Sequence, residues 1–150
     1  KIVQFHQSYG YEDFIQGIRP ETSSDGELSY NLKNGVFKTM CEEAEDSDRP
    51  FVIVIDEINR GNLSRIFGEL MLLLEYRDME IPLSNSTPDE PPFKIPPNVY
   101  LIGTMNSADR SLTQIDYALR RRFVFYRLFA TSGYEAPVFS KWLTIRNLQN

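Results

Sequence analysis

The sequence predicts an α/β fold: a mostly parallel sheet with flanking helices. Three observations predict it. Phe51–Ile55 and Val99–Ile102 are short, near-continuous apolar runs rich in β-branched residues, the pattern of strands buried on both faces. Between them, residues 64 to 76 carry apolar positions at helical spacing. Alternating strands and helices build parallel sheets, and ligand groups gather beyond the carboxyl ends of such strands.

In chain order, Ile2–Phe5 reads as a short strand. In YEDFIQG, Tyr11, Phe14 and Ile15 share one side of a helical turn. Residues 20 to 34 are polar and turn-rich, a loop or weak hairpin. After Gly35, the positions Val36, Phe37, Met40, Cys41 and Ala44 predict a helix, which ends in the acidic stretch EEAEDSDRP. Phe51–Ile55 follows. The helix over 64–76 then presents Ile66, Phe67, Leu70, Met71, Leu73 and Leu74 on a broad face, with Asn62 or Ser64 as its cap. Residues 77 to 98 hold six of the nine prolines and predict an irregular excursion or decorated hairpin. Val99–Ile102 leads into GTMN. A helix near 113–122, a strand over Phe123–Phe129 and a last helix from Pro137 complete the chain.

Composition narrows the function classes. The chain has 150 residues, 41% hydrophobic, with a net charge of -5. That suits one domain with a real core and gives no whole-chain basic footprint for nucleic acid. One cysteine, Cys41, and one histidine, His6, exclude a disulfide framework and a Cys/His zinc site within one chain. Cys41, on an apolar stripe, reads as core, and a lone His6 reads as structural. No run approaches the roughly 20 apolar residues of a membrane span. The N-terminal KIVQFHQSYG lacks a signal-peptide pattern. The expectation is a cytoplasmic protein.

The run FVIVI stops at two adjacent acids, Asp56 and Glu57. A hydrolysing NTPase needs a carboxylate for magnesium and a second group for the attacking water. A strand that merely surfaces would also end in polar residues. Neighbouring strand residues point in opposite directions, so both acids reach one site only if the chain turns after Asp56.

The second strand ends at GTMNSADRS. If the two strands are neighbours, Asn106 stands beside Asp56, where a neutral amide positions water or meets a terminal phosphate. Asp109 and Arg110 follow in a stretch of turn-forming residues. In YALRRRF, three consecutive arginines cannot share one helix face. A guanidinium suits charge on a transferring phosphoryl, whereas a solvated helix end explains cations equally.

Taken in order, QFHQSYGYEDFIQGIRP, FVIVIDEINRGN and GTMNSADRSLTQIDYALRRRF resemble the AAA+ module of the McrB family, P-loop NTPase-like GTPases of methylcytosine-specific McrBC restriction systems. The resemblance covers roughly residues 1–129, a partial nucleotide-hydrolysing core, and leaves 130–150 as a possible remnant of the lid. It implies that Asp56 is the Walker B residue for Mg2+ and Glu57 the water-activating carboxylate. It makes Asn106 the sensor 1 amide and nucleotide contact, with Asp109 completing the Met-Asn-x-x-Asp motif. Arginine fingers acting across a subunit interface fall near 120–122, with Arg121 and Arg122 favoured, and Arg60 becomes an interface residue. A hexameric ring, GTP as substrate with ATP as alternative, a McrC-like endonuclease partner and DNA engaged through other domains complete the expectation.

One departure qualifies the match. A phosphate-binding loop needs Gly-x-x-x-x-Gly-Lys-Ser/Thr, and no glycine here precedes a lysine. By the family's order, the first strand, the P-loop and most of the lid are absent, which a piece of a longer chain explains best. A truncated gene, or a strand supplied by another chain, are the alternatives. In each case the chain alone is expected to be inactive. A degenerate interaction module is the non-enzymatic alternative.

Overall fold

A computed structural model describes residues 1–106, 117–128, 141 and 144–145. Three parallel strands form the central sheet in the order β1 (Ile2–Gln4), β4 (Phe51–Asp56), β5 (Val99–Gly103). Between β1 and β4 the chain forms α1 (Tyr11–Phe14), the antiparallel hairpin of β2 (Gln16–Thr22) and β3 (Leu28–Asn34), and α2 (Val36–Glu45). A 3-10 turn (Ile58–Arg60), α3 (Leu63–Phe67) and α4 (Leu70–Glu75) follow β4, and α5 spans Tyr117–Arg120. The α/β expectation holds, and the turn-rich 20–34 stretch is the far part of a full hairpin.

The core forms on one side of the sheet. Ile53 and Ile55 of β4 and Val99 of β5 are fully buried with Phe5, Phe14, Phe37, Met40, Phe67 and Leu70. Phe14 organises the aromatics, at 5.5 Å from Phe5, 5.0 Å from Phe37 and 5.4 Å from Phe67 between ring centroids. Cys41 is buried as expected, and burial pushes its thiol up to about 12.

The opposite face corrects the expectation of strands buried on both sides. In register there lie Ile2, Val54 and Ile102 as one rung and Val52 and Tyr100 as the next. Ile2 is 78% exposed, and Tyr100 and Ile102 are about half exposed. β-branched, apolar strands announce that both faces pack, but not whether the covering element lies among these residues.

The helix expected over 64–76 is two helices, broken at Gly68. Its φ of 48° lies in the region that favours glycine, and an added Cβ would sit 3.1 Å from the Tyr11 ring. Apolar spacing survives such a break, because α3 and α4 still bury Ile66, Phe67, Leu70 and Leu73. Of the two cap candidates, Asn62 serves: its Oδ1 accepts from the Arg65 N–H at 3.1 Å.

The proline-rich excursion closes on itself through an isolated bridge, Ile81 with Phe93. It is anchored by a buried polar chain. Lys38, on α2, donates to Gln16 and to Glu90, and Gln16 Nε2 donates to the Ser84 carbonyl at 2.8 Å. Asn98 closes the other end, its Nδ2 reaching the carbonyls of Ala44 at 3.0 Å and Ser47 at 2.6 Å. These bonds tie the start of β5 to the end of α2 and the turn that follows it.

Residues 123–128 form no strand, which corrects the expectation over Phe123–Phe129 for the part described. Val124, Tyr126 and Leu128 stand almost wholly exposed, because a strand requires a hydrogen-bonding neighbour and none of the described strands pairs with this segment. The expected helix over 113–122 is described only from Tyr117, and the one from Pro137 lies mostly outside the described residues.

Candidate functional site at the carboxyl ends of the strands

Because β1, β4 and β5 run parallel, their carboxyl ends share one edge of the sheet. Gln4 is in register with Asp56, and the pairing of Ile55 with Gly103 sets Thr104 beside Asp56 on the other flank. Three polar residues thus cap three neighbouring strands on the face left open by the core. The Thr104 hydroxyl lies 2.6 Å from Asp56 Oδ1, and Gln4 Nε2 donates to Asp56 Oδ2 at 3.3 Å.

Strand geometry ends at Glu57, which adopts a left-handed backbone (φ 51°, ψ 46°). The chain therefore turns immediately after Asp56. Non-glycine residues seldom occupy that region, and when they do they cluster at functional sites. The backbone ladder continues around the turn: the Thr104 N–H donates to the Ile55 carbonyl and the Ile58 N–H to the Thr104 carbonyl, both at 2.9 Å. The Glu57 N–H donates to Thr104 Oγ1 at 3.3 Å. Arg60 Nε approaches Glu57 Oε2 at 2.8 Å, an ion pair within the 3-10 turn.

Asn106 lies beyond the end of β5, near this turn, and the residue that stands against Asp56 is Thr104 rather than Asn106. Its backbone carbonyl accepts from Asn59 Nδ2 at 3.4 Å. Asn59 is only 6% exposed, and its Oδ1 has no hydrogen-bond partner among the described residues. Asp109 and Arg110 lie outside the described residues. Arg121 and Arg122 both bond to α4, each 2.7 Å from Glu75 Oε2. Arg121 is half exposed, whereas the Arg122 side chain is 7% exposed and also donates to the Met71 carbonyl.

Among the described residues no group of three His, Cys, Asp or Glu is placed to hold a metal by itself. One oriented carboxylate, Asp56, stands at a partly exposed strand end. Magnesium is commonly held by one or two carboxylates together with substrate phosphates and retained waters. The donor set therefore fits Mg2+ arriving with a nucleotide and does not fit a self-sufficient metal cage.

Sequence reasoning overlooked Gln4, Thr104 and Asn59. For Gln4 and Thr104 the available signal was that each strand meets a polar side chain at its carboxyl end, whereas Asn59, within the 3-10 turn, carried no such signal.

A profile of the AAA domain, dynein-related subfamily, matches residues 1–123. The chain belongs to that family. Within it, the chain is 47% identical over 147 residues to the type IV methyl-directed restriction enzyme EcoKMcrB subunit of Escherichia coli K12, an alignment covering 95% of this chain and 30% of that protein. This bears out the resemblance to McrB. It is also 32% identical to the type II restriction enzyme BsuMI component YdiS of Bacillus subtilis 168, over 82% of this chain and 46% of that one. The chain thus spans less than half the length of either relative. A solved structure from Cytophaga hutchinsonii, provisionally assigned as an ATPase, superposes on this AAA domain with a TM-score of 0.53, covering 99% of this chain and 38% of that one at 14% identity. At that identity the likeness speaks to the fold alone.

Proposed function

We propose that this AAA domain is part of the GTP-hydrolysing motor subunit of a McrBC-like, methylcytosine-specific DNA restriction system. The observation that carries the proposal is the pairing of β4 with β5, which sets the Asp56–Glu57 turn against the strand exit that leads to Asn106.

In this proposal Asp56 holds Mg2+, which supplies charge neutralisation at the phosphates. Glu57 accepts a proton from water as its oxygen attacks the terminal phosphorus and GDP leaves. Asn106 orients that water, or the phosphate, through an uncharged amide. Asp109 supports the Asn106 loop. Arg60 lies at the interface with a neighbouring copy in a ring, and Arg121 serves that copy, where its guanidinium offsets charge on the phosphoryl group. Arg122 was an equal candidate from sequence, but its burial against α4 favours a structural role. A McrC-like endonuclease and DNA bound through other domains are the proposed partners. No helix among the described residues is long and apolar enough to cross a membrane, which accords with the proposed cytoplasmic location.

The test is hydrolysis by the intact protein, with GTP and ATP compared and Glu57→Gln as control. The expected outcome is turnover of GTP over ATP, with Glu57→Gln retaining nucleotide but losing about 10²–10⁴ in rate. Preferential ATP turnover would make the protein an ATP-using motor of the same architecture. Undiminished turnover by Glu57→Gln would remove Glu57 from its role.

A further inference from the structure

We propose that Thr104 is the positioning residue for both acids: its single hydroxyl aims the Asp56 carboxylate at the metal and holds the left-handed turn that presents Glu57. The inference rests on the nucleotide-hydrolysing reading of the site and adds to it a residue that neither acid's own chemistry identifies.

The geometry carries it. Thr104 does not need its side chain to continue the sheet, because its backbone N–H and carbonyl already bond to Ile55 and Ile58. The hydroxyl is thus engaged for another purpose. It donates to Asp56 Oδ1 at 2.6 Å and accepts from the Glu57 N–H at 3.3 Å. A hydroxyl has one proton and two lone pairs, so this one residue type can give to a carboxylate and receive from an amide at the same point. Valine has the shape and neither function.

Each bond has a distinct effect. An ionised carboxylate offers about four acceptor sites. Thr104 and Gln4 occupy one on each oxygen, which fixes the plane of the group and leaves the remaining lone pairs outward for a cation or its waters. Partners of this kind orient the ligands of metal sites. The Glu57 N–H finds its acceptor in the same oxygen, and that bond offsets the conformational cost of the left-handed backbone at Glu57. β-branching restricts χ1 of threonine, so the hydroxyl is held in place rather than swinging between rotamers.

The experiment uses the intact protein and a fluorescent guanine nucleotide, titrated with and without Mg2+, alongside turnover and thermal unfolding. Thr104→Val is expected to raise the Mg2+ concentration for half-maximal enhancement of nucleotide binding by about 10-fold or more. Binding without Mg2+ should stay unchanged and kcat should fall. Thr104→Ser, which keeps the hydroxyl, should restore most of the Mg2+ response. Should Thr104→Val fail to fold, Thr104→Ala deletes the same two bonds and is judged identically. A wild-type Mg2+ response in Thr104→Val, beside a weakened one in Asp56→Asn, overturns the role of Thr104 alone. Equal losses with and without Mg2+ overturn it as well, since they mark a merely structural residue. An unaltered response in Asp56→Asn itself overturns the underlying site assignment, and this inference with it.

Discussion

The side-chain amide of Asn59 donates across 3.4 Å to the backbone carbonyl of Asn106, joining the turn after β4 to the exit of β5. Asn59 is buried and Asn106 exposed, so the contact fixes a surface residue from below. Asn59→Ala should lower stability by about 0.5–1.5 kcal/mol, the net worth of one part-buried hydrogen bond. The shift is read as a lower urea midpoint. Turnover in the intact protein should fall as well, since the Asn106 loop loses its tether. A variant with a normal midpoint and normal turnover would show that the contact is dispensable.

The two candidate fingers should separate experimentally. Arg121→Ala should change unfolding stability by no more than about 0.5 kcal/mol, as an exposed substitution. Its cost should appear in assembled turnover, by about a thousandfold or more if it acts on a neighbour's phosphate. Arg122→Ala should instead destabilise the fold by about 1–3 kcal/mol, since a buried guanidinium bonds to Glu75 and Met71. Mixing Arg121→Ala subunits with Glu57→Gln subunits gives the decisive readout: partial recovery of turnover supports action across the interface, and none argues against it.

Acid should loosen the excursion. The hydrogen bond from Lys38 holds the Glu90 carboxyl below the usual carboxylate range. A lowered folded-state value means that Glu90 contributes stability above its unfolded value, about 4.3. That contribution is lost as pH falls through the depressed folded value. Asp13 and Glu69 act in the same direction. Burial works to raise both, but the hydrogen bond from Arg19 to Asp13, and those from Tyr11 and Ser84 to Glu69, leave them lowered. Urea midpoints measured between pH 7 and pH 3 should decline less steeply in Glu90→Gln, from a lower starting value. An unchanged slope would mean that the Lys38 contact is absent in solution.

Gly68→Ala should destabilise by about 1–3 kcal/mol, the cost of forcing a side chain into a sparsely populated backbone region. The added Cβ also presses on the Tyr11 ring, whose hydroxyl donates to Glu69 at 2.6 Å. Denaturant unfolding monitored by tyrosine fluorescence checks this. A neutral result would imply that α3 and α4 join into one helix without penalty.

These 150 residues alone should bind GTP poorly or not at all, because no glycine in them precedes a lysine and the acids by themselves make no cradle for phosphates. Calorimetry with GTP and Mg2+ is the check, and micromolar binding would sink the expectation.

Much of the site was legible because strand chemistry is local. An apolar run ending in Asp56 and Glu57, and another leading to Asn106, declare strands and their polar exits by residue type alone. Gln4, Thr104 and Asn59 were not legible in the same way. Each is an ordinary polar residue whose importance arises from which strand lies beside it, and register is a property of pairing over sequence separations of about fifty residues. The break at Gly68 escaped for a similar reason: apolar periodicity passes through it, and only the Tyr11 ring packed against it shows why glycine stands there.

By itself the sequence determined the α/β class, the family and the identity of the acids, because these follow from hydrophobic pattern and motif order. Tertiary structure alone decided that Asp56 is held from both flanks, that Glu57 leaves the strand left-handed and that Arg122 is buried against α4 while Arg121 faces solvent. The physical reason is that hydrogen bonds and burial are made between segments far apart in the chain, and the parallel stacking of β1, β4 and β5 is what brings those segments together.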